Sequence, residues 1–186
     1  MGKSASGKDH IYARLAAHEE LGLKKLVLYT TRPIRAEEED GKQYYFVDDK
    51  KLKEFQEKGC VIEARAYHTV HGLWTYFTAD DGQVNLDASD YLGIGTLESY
   101  VKMREYYGEE ALCPIYIEVE DGERLARALN RERSQKTPRY EEMCRRFLAD
   151  QEDFSEEKIA AAGIKKRFQN IDLEKCVEEI AQYIKG

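Results

Sequence analysis

No apolar run in this chain approaches the roughly 20 residues that cross a bilayer. No secretory signal opens it either, so a soluble, cytoplasmic protein without a membrane partner is expected. Cysteine is scarce: Cys60, Cys113, Cys144 and Cys176 are scattered, and no two stand at C-x-x-C spacing. That spacing argues against a zinc or redox site and for reduced thiols. Proline is scarcer still, at Pro33, Pro114 and Pro138, and there is no repeat or low-complexity tract. Positive charge is in the minority, 29 Lys and Arg against 36 Asp and Glu, for a formal net charge of −7. A nucleic-acid partner is therefore not expected, because a phosphate backbone calls for clustered cations. A small anion in a locally basic pocket stays compatible with the balance. His68 and His71 would point to opposite faces of a strand, which favours surface histidines over a metal pair.

What is present is the alternation of an α/β chain. The 186 residues fit one domain, 42% hydrophobic and 35% charged. Apolar periodicity predicts helices over 9–21, 49–58, 97–107, 122–133 and 140–153. A final helix carries the stripe Leu173, Val177, Ile180, Ala181 and Ile184 behind Asp172 as N-cap. Strands are predicted at 26–29, 44–47, 61–67, 91–94, 115–119 and 166–168, mostly as βα units of a parallel sheet. Residues 30–87 break that rhythm and read as an inserted mixed β region on a core of 1–29 and 88–186.

Residues 2–9, Gly-Lys-Ser-Ala-Ser-Gly-Lys-Asp, match the phosphate-loop pattern G-x-x-x-x-G-K but end in Asp9 where Ser or Thr is usual. Glycines let backbone N–H groups turn toward phosphate oxygens, and the helix that follows aims its positive dipole end at them. Gly2, Lys3, Ser4, Ala5, Ser6, Gly7, Lys8 and Asp9 are thus candidate ATP contacts, with Lys8 reaching the β- and γ-phosphates. The missing hydroxyl normally ligates Mg²⁺; Asp9 is the candidate metal ligand in its place. Without a metal between them, an anion about 4 Å from phosphate costs on the order of 4 kcal/mol at an effective dielectric of 20. Only Met1 precedes the loop, whereas such loops hang from a buried central strand, so a gene product that starts earlier is expected.

A second anchor follows. Thr30-Thr31-Arg32-Pro33-Ile34-Arg35, an acidic loop with Glu38, then Asp40-Gly41-Lys42 and Tyr44-Tyr45-Phe46-Val47, offers two guanidinium forks and a phenol to a monophosphate. This stretch resembles the monophosphate site of guanylate kinases. The resemblance implies a P-loop three-layer parallel sheet with a mixed β monophosphate-binding insertion and a helical lid. It implies ATP-dependent phosphorylation of a nucleoside monophosphate, GMP to GDP, with ATP, GMP and Mg²⁺ as ligands. Arg32, Arg35 and Tyr44 match the residues that hold the GMP phosphate, Glu63 the glutamate that reads guanine, and Glu38 a further loop acid. Asn170 matches an asparagine near the adenine, in a turn where a helix cap is the alternative.

Residues 127–146 carry six arginines around Gln135-Lys136-Thr137-Pro138, the composition of a lid over about 130–145. Arg131 and Arg146 join Lys8 as candidate catalytic residues, while Arg127 and Arg145 suit salt bridges along a helix. Three departures stand out. Leu28 replaces a small hydroxyl residue beside the base. Gly72-Leu-Trp-Thr-Tyr-Phe-Thr78 replaces an N-Y-Y-G-[ST] segment, with Tyr76 and Thr78 as stand-ins. Gly93 and Gly95 replace two carboxylates. These leave open a kinase for another acceptor, or a non-catalytic binding module.

Overall fold

Side-chain caps punctuate the chain where the sequence puts short acids and hydroxyls. Asp48 accepts the amide of Lys51, Glu120 that of Glu123, Ser155 that of Lys158 and Asp172 that of Lys175, at 2.8–3.3 Å. Each tethers one of the donors a helix start leaves open. The computed structural model describes residues 1–69 and 72–186. In chain order the elements are α1 (Lys8–Ala16), β1 (Lys24–Lys25), β2 (Tyr29–Thr30), β3 (Tyr45–Phe46), α2 (Asp49–Glu57), β4 (Val61–Thr69) and β5 (Gly72–Ala79). There follow β6 (Tyr91–Leu92), α3 (Leu97–Tyr107), β7 (Tyr116–Glu118), α4 (Asp121–Ser134), α5 (Tyr140–Asp153), α6 (Glu156–Ala161), β8 (Arg167–Gln169) and α7 (Leu173–Lys185).

These elements form two compact units. The first comprises Met1–Gly22, Ile94–Val101 and Cys113–Gly186. In it β7 and β8 pair in parallel, and α7 packs on α1 and β8 through Cys176, Val177, Ile180 and Ala181. Met1 flanks β7: its terminal ammonium donates to the Ile115 carbonyl at 2.8 Å, and its own carbonyl accepts from Ile117 at 2.9 Å. Burial, then Lys8, lower that ammonium's pKa to about 5.

The second unit comprises Leu23–Gly93 and Lys102–Leu112. It holds a parallel pair, β1 with β6, and a four-stranded sheet in the order β3-β2-β5-β4. In that sheet β2 and β3 are parallel, while β5 runs antiparallel to both β2 and β4. One face packs Tyr29, Leu52, Phe77 and Ala79 into a core bordered by Tyr45, Val47, Phe55 and Val61.

The expected strand over 26–29 is interrupted: β1 ends at Lys25 and β2 begins at Tyr29, in different sheets. Leu26 still donates to Leu92 at 3.0 Å and Leu28 still accepts from Tyr45 at 2.8 Å. Between them Val27 gives its N–H to Gln83 Oε1 at 3.1 Å, which lets the chain pass from one sheet to the other. The helix expected over 9–21 stops at Ala16, and a short 3-10 turn at Glu19–Leu21 carries the chain on to Gly22. Helix α6 and strand β5 were not anticipated.

Candidate active site

Residues 2–7 make a tight turn ahead of α1, with positive φ at Gly2 (151°), Ala5 (60°) and Gly7 (82°). A β-carbon at Gly2 would lie 2.5 Å from the Ile117 carbonyl oxygen, and one at Gly7 would run into Asn170 Nδ2. Glycine is therefore required at both places by close approach. Asn170, buried, donates from Nδ2 to the Ser6 carbonyl at 2.8 Å and so ties the turn after β8 to the loop. Gly7 caps α1 with no side-chain partner for the helix amides, and the buried Ser6 hydroxyl has no partner among the described residues. Such a junction receives anions.

Lys8 opens α1. Burial pulls its pKa down, Asp9 and Asp150 pull it up, and Arg146 and Arg131 pull it down again. Asp9, Asp150, Arg146 and Arg131 are thus within electrostatic reach of Lys8. Arg146 Nη2 donates to Ser4 Oγ at 3.2 Å, and Arg131 is half exposed. Arg127 bonds Glu123 at 2.9 Å and the Asn170 carbonyl at 3.1 Å, while Arg145 grips Glu142 through two nitrogens at 2.7 Å.

The sequence reading missed what holds the loop. Arg124, its side chain 1% exposed, donates from Nη1 to the Ser4 carbonyl at 2.9 Å and from Nε and Nη2 to Asp121 Oδ1 at 3.0 and 2.6 Å. Asp150 accepts the Ser4 amide at 2.8 Å and lies 3.4 Å from Arg124. Lys3 reaches Gln151 at 2.6 Å. The loop apex is thereby pinned from α4 and α5. The one local signal was the i,i+3 spacing of Asp121 and Arg124; the contacts to residue 4 span more than a hundred positions.

Gly95 offers no oxygen side chain, and a β-carbon there would lie 3.0 Å from the Ser99 hydroxyl. At Gly93 it would lie 3.3 Å from Leu26. Among the described residues no group of His, Cys, Asp and Glu could by itself hold a metal ion; His71 lies outside them, and His68 is exposed.

In the second unit Arg32 is buried and bonded to Glu38 through both terminal nitrogens, at 2.7 and 2.5 Å. Its guanidinium lies over the rings of Tyr44 and Phe46, 5.3 and 5.2 Å from their centres. Glu38 also accepts the Arg35 amide at 3.0 Å, and the Arg32 hydrogen bonds hold its carboxyl down at about 2. The Arg35 side chain is exposed. Burial raises the pKa of Tyr44, whose ring meets Tyr76 edge-on with centres 5.5 Å apart.

A register shift between Val61 and Glu63 sets Glu63 opposite Thr78 and Arg65 opposite Tyr76, so all four share one face of the hairpin. Glu63 is 5% exposed, and Thr78 Oγ1 donates to it at 2.9 Å. Thr78 therefore stands directly across from Glu63, and Tyr76 stands across from Arg65 with its ring against Tyr44. Leu28 is 7% exposed, with no polar side-chain atom to offer. Arg65 was not anticipated, because nothing local marks it as a neighbour of Glu63 rather than a solvated strand residue.

The structure thus has a glycine-bearing loop ahead of a helix in one unit and an arginine–carboxylate face in the other, on an α/β framework. The guanylate kinase family matches residues 1–80. A guanylate kinase of Porphyromonas gingivalis is 30% identical over 190 residues, 97% of this chain and 92% of the relative. One of Nitrosomonas europaea is 34% identical over 65 residues, 35% of this chain and 32% of the relative. The crystal structure of guanylate kinase from Anaplasma phagocytophilum superposes with a TM-score of 0.60 at 23% identity, over 99% of this chain and 82% of that one. The chain belongs to the guanylate kinase family.

Proposed function

We propose that this protein transfers the terminal phosphoryl group of ATP to GMP, giving ADP and GDP. The observation that carries the acceptor is the hairpin face on which a buried carboxylate, Glu63, stands with Thr78 and Tyr76, the Tyr76 ring meeting Tyr44. A carboxylate there accepts from the N1–H and 2-amino groups of guanine, and adenine lacks that pair of donors. Arg32, Arg35 and Tyr44 hold the monophosphate, with Glu38 keeping Arg32 in its rotamer. Loop amides other than those of Ser4 and Ser6, which Asp150 and the Lys3 carbonyl take, join the Lys8 ammonium and the Ser6 hydroxyl in holding the phosphates of ATP, with Asn170 shaping the turn.

Phosphoryl transfer proceeds through a loose transition state, so the protein contributes positioning and charge neutralisation. Lys8, Arg131 and Arg146 supply positive charge to the group in flight, and the acceptor phosphate oxygen attacks as an anion that needs no base. Magnesium on a nucleotide calls for one or two protein carboxylates, the rest of its shell being phosphate and water. Asp9, exposed in the first turn of α1 beside Lys8, fits that donor set and would hold it. Bound there, the cation would neutralise charge on the phosphates.

On this reading the α/β fold is a P-loop three-layer architecture within a single domain of residues 1–186. Residues 30–87 are the acceptor-binding insertion, and the exposed arginine-bearing turn of residues 130–145 is a lid. No helix among the described residues is long and apolar enough to cross a membrane, and the free cysteines suit a cytoplasmic setting. Leu28 favours a second reading, a different acceptor nucleotide, since it brings no hydroxyl to the base. Coupled measurement of ADP formation with GMP, dGMP, AMP, CMP and UMP decides between them. Turnover led by GMP is expected; turnover led by another nucleotide moves the acceptor. Binding of GMP without turnover on any would make the protein a binding module.

A further inference from the structure

Strand β4 places a cation two residues beyond Glu63, on the same face. Arg65 Nε donates to Glu63 Oε2 at 2.9 Å and Nη2 donates to Oε1 at 3.3 Å, and both side chains are largely buried. Thr78 spends its one hydroxyl proton on Glu63 Oε1 at 2.9 Å. A carboxylate offers about four lone-pair sites, so three donors leave little acceptor capacity for a ligand unless one gives way. The 3.3 Å contact is the longest of the three and the easiest to exchange. Leu28 has no polar side-chain atom, and the hydroxyl of Thr78 is committed, so the fixed donor next to Glu63 is the planar guanidinium.

We propose that Arg65 is a specificity-determining residue, its guanidinium donating to the 6-oxo group of a purine while Glu63 accepts from the adjacent N1–H. The proposal rests on the guanine-nucleotide reading above. Glu63 and Arg65 together present an acceptor beside a donor, in the order that a 6-oxopurine edge answers. With the ring's direction set by its phosphate at Arg32, a 6-aminopurine meets donor with donor and acceptor with acceptor. A site built on polar partners rejects such mismatches strongly, because its own groups are left unpaired. Charge balance points the same way: the guanidinium neutralises a carboxylate that is almost wholly out of water, which suits a neutral base.

The test is a cycle between residue and ligand. GMP and 6-thio-GMP, whose sulfur is a poor acceptor, are titrated calorimetrically against the full-length protein and its Arg65→Met and Arg65→Lys variants. The unaltered protein is expected to prefer GMP by roughly 10- to 100-fold, the worth of a hydrogen bond to a charged group. In Arg65→Met that preference vanishes, chiefly by loss of GMP affinity, and Arg65→Lys, which keeps the charge but not the fork, retains part of it. Equal weakening of both ligands in both variants would overturn the proposal and leave Arg65 as a mere support for Glu63. If the unaltered protein binds neither ligand, the guanine-nucleotide reading itself fails, a result distinct from equal weakening.

Discussion

Arg32 and Glu38 hold each other through two nitrogen–oxygen pairs beneath the rings of Tyr44 and Phe46, and much of the acceptor chemistry depends on that contact. Arg32→Ala removes a buried charge and strands Glu38. Truncating one partner of such a pair costs about 2–5 kcal/mol, so GMP affinity should fall roughly 30- to 4000-fold in direct titration. Glu38 gives a pH signature. Its folded-state pKa of about 2 lies below the ordinary 4.5, so its stabilisation is complete above 4.5 and drains away as pH falls toward 2. Urea melts across that window should therefore show a flatter acid limb for Glu38→Gln than for the unaltered protein. At this scale the sequence picks out candidates where a contiguous motif carries them, as for Arg32, Arg35 and Tyr44, with Glu63 from the strand that follows. It was illegible where a residue matters through register. Arg65, unanticipated, becomes a neighbour of Glu63, and Thr78, expected only as a stand-in, gains Glu63 as its partner, only once the hairpin and its bulge exist.

Helices α4 and α5 pin the loop ahead of α1 through Arg124 and Asp150, so the phosphate-binding turn is positioned by elements more than a hundred residues downstream. Arg124→Met leaves Asp150 and the Ser4 carbonyl without their cation. Breaking a buried ion pair from one side destabilises by about 3 kcal/mol or more, visible as a lower urea midpoint, and ATP binding should weaken while GMP binding does not. In the other unit Phe77 is fully buried between Tyr29 and Phe55, and Phe77→Ala should cost about 3–5 kcal/mol. Long periodic elements were readable: α5 and α3 run over the stretches their apolar spacing marks out, and Asp172 caps α7. Among short elements, β3, β6 and β7 lie inside the expected stretches and β8 overlaps one, but others were not readable. Helix α6 is a six-residue turn with little room for a period, and the strand expected at 26–29 breaks because its two ends pair in different sheets.

For the whole molecule, the acidic balance of −7 coexists with cations that each stand beside a carboxylate, Lys8 near Asp9 and Asp150 and Arg32 on Glu38. Net charge thus says little about either ligand site, whereas the order of motifs along the chain says a good deal. Among the described residues the parallel pairs β1–β6 and β7–β8 lie outside residues 30–87 and the antiparallel pairings fall almost wholly within them, in keeping with a parallel core and a mixed insertion. That the strands divide among separate sheets was not legible, because strand partners are chosen by non-local contacts that no window of sequence contains. The most direct test of the account follows the phosphoryl group itself, with ATP labelled in its terminal phosphoryl and GMP as acceptor. Label should appear in GDP with the unaltered protein and fall at least about 100-fold with Lys8→Met, a loss on the scale of one removed transition-state charge contact, while GMP affinity is unchanged. Label that reaches only inorganic phosphate, or reaches GDP equally well without Lys8, would contradict it.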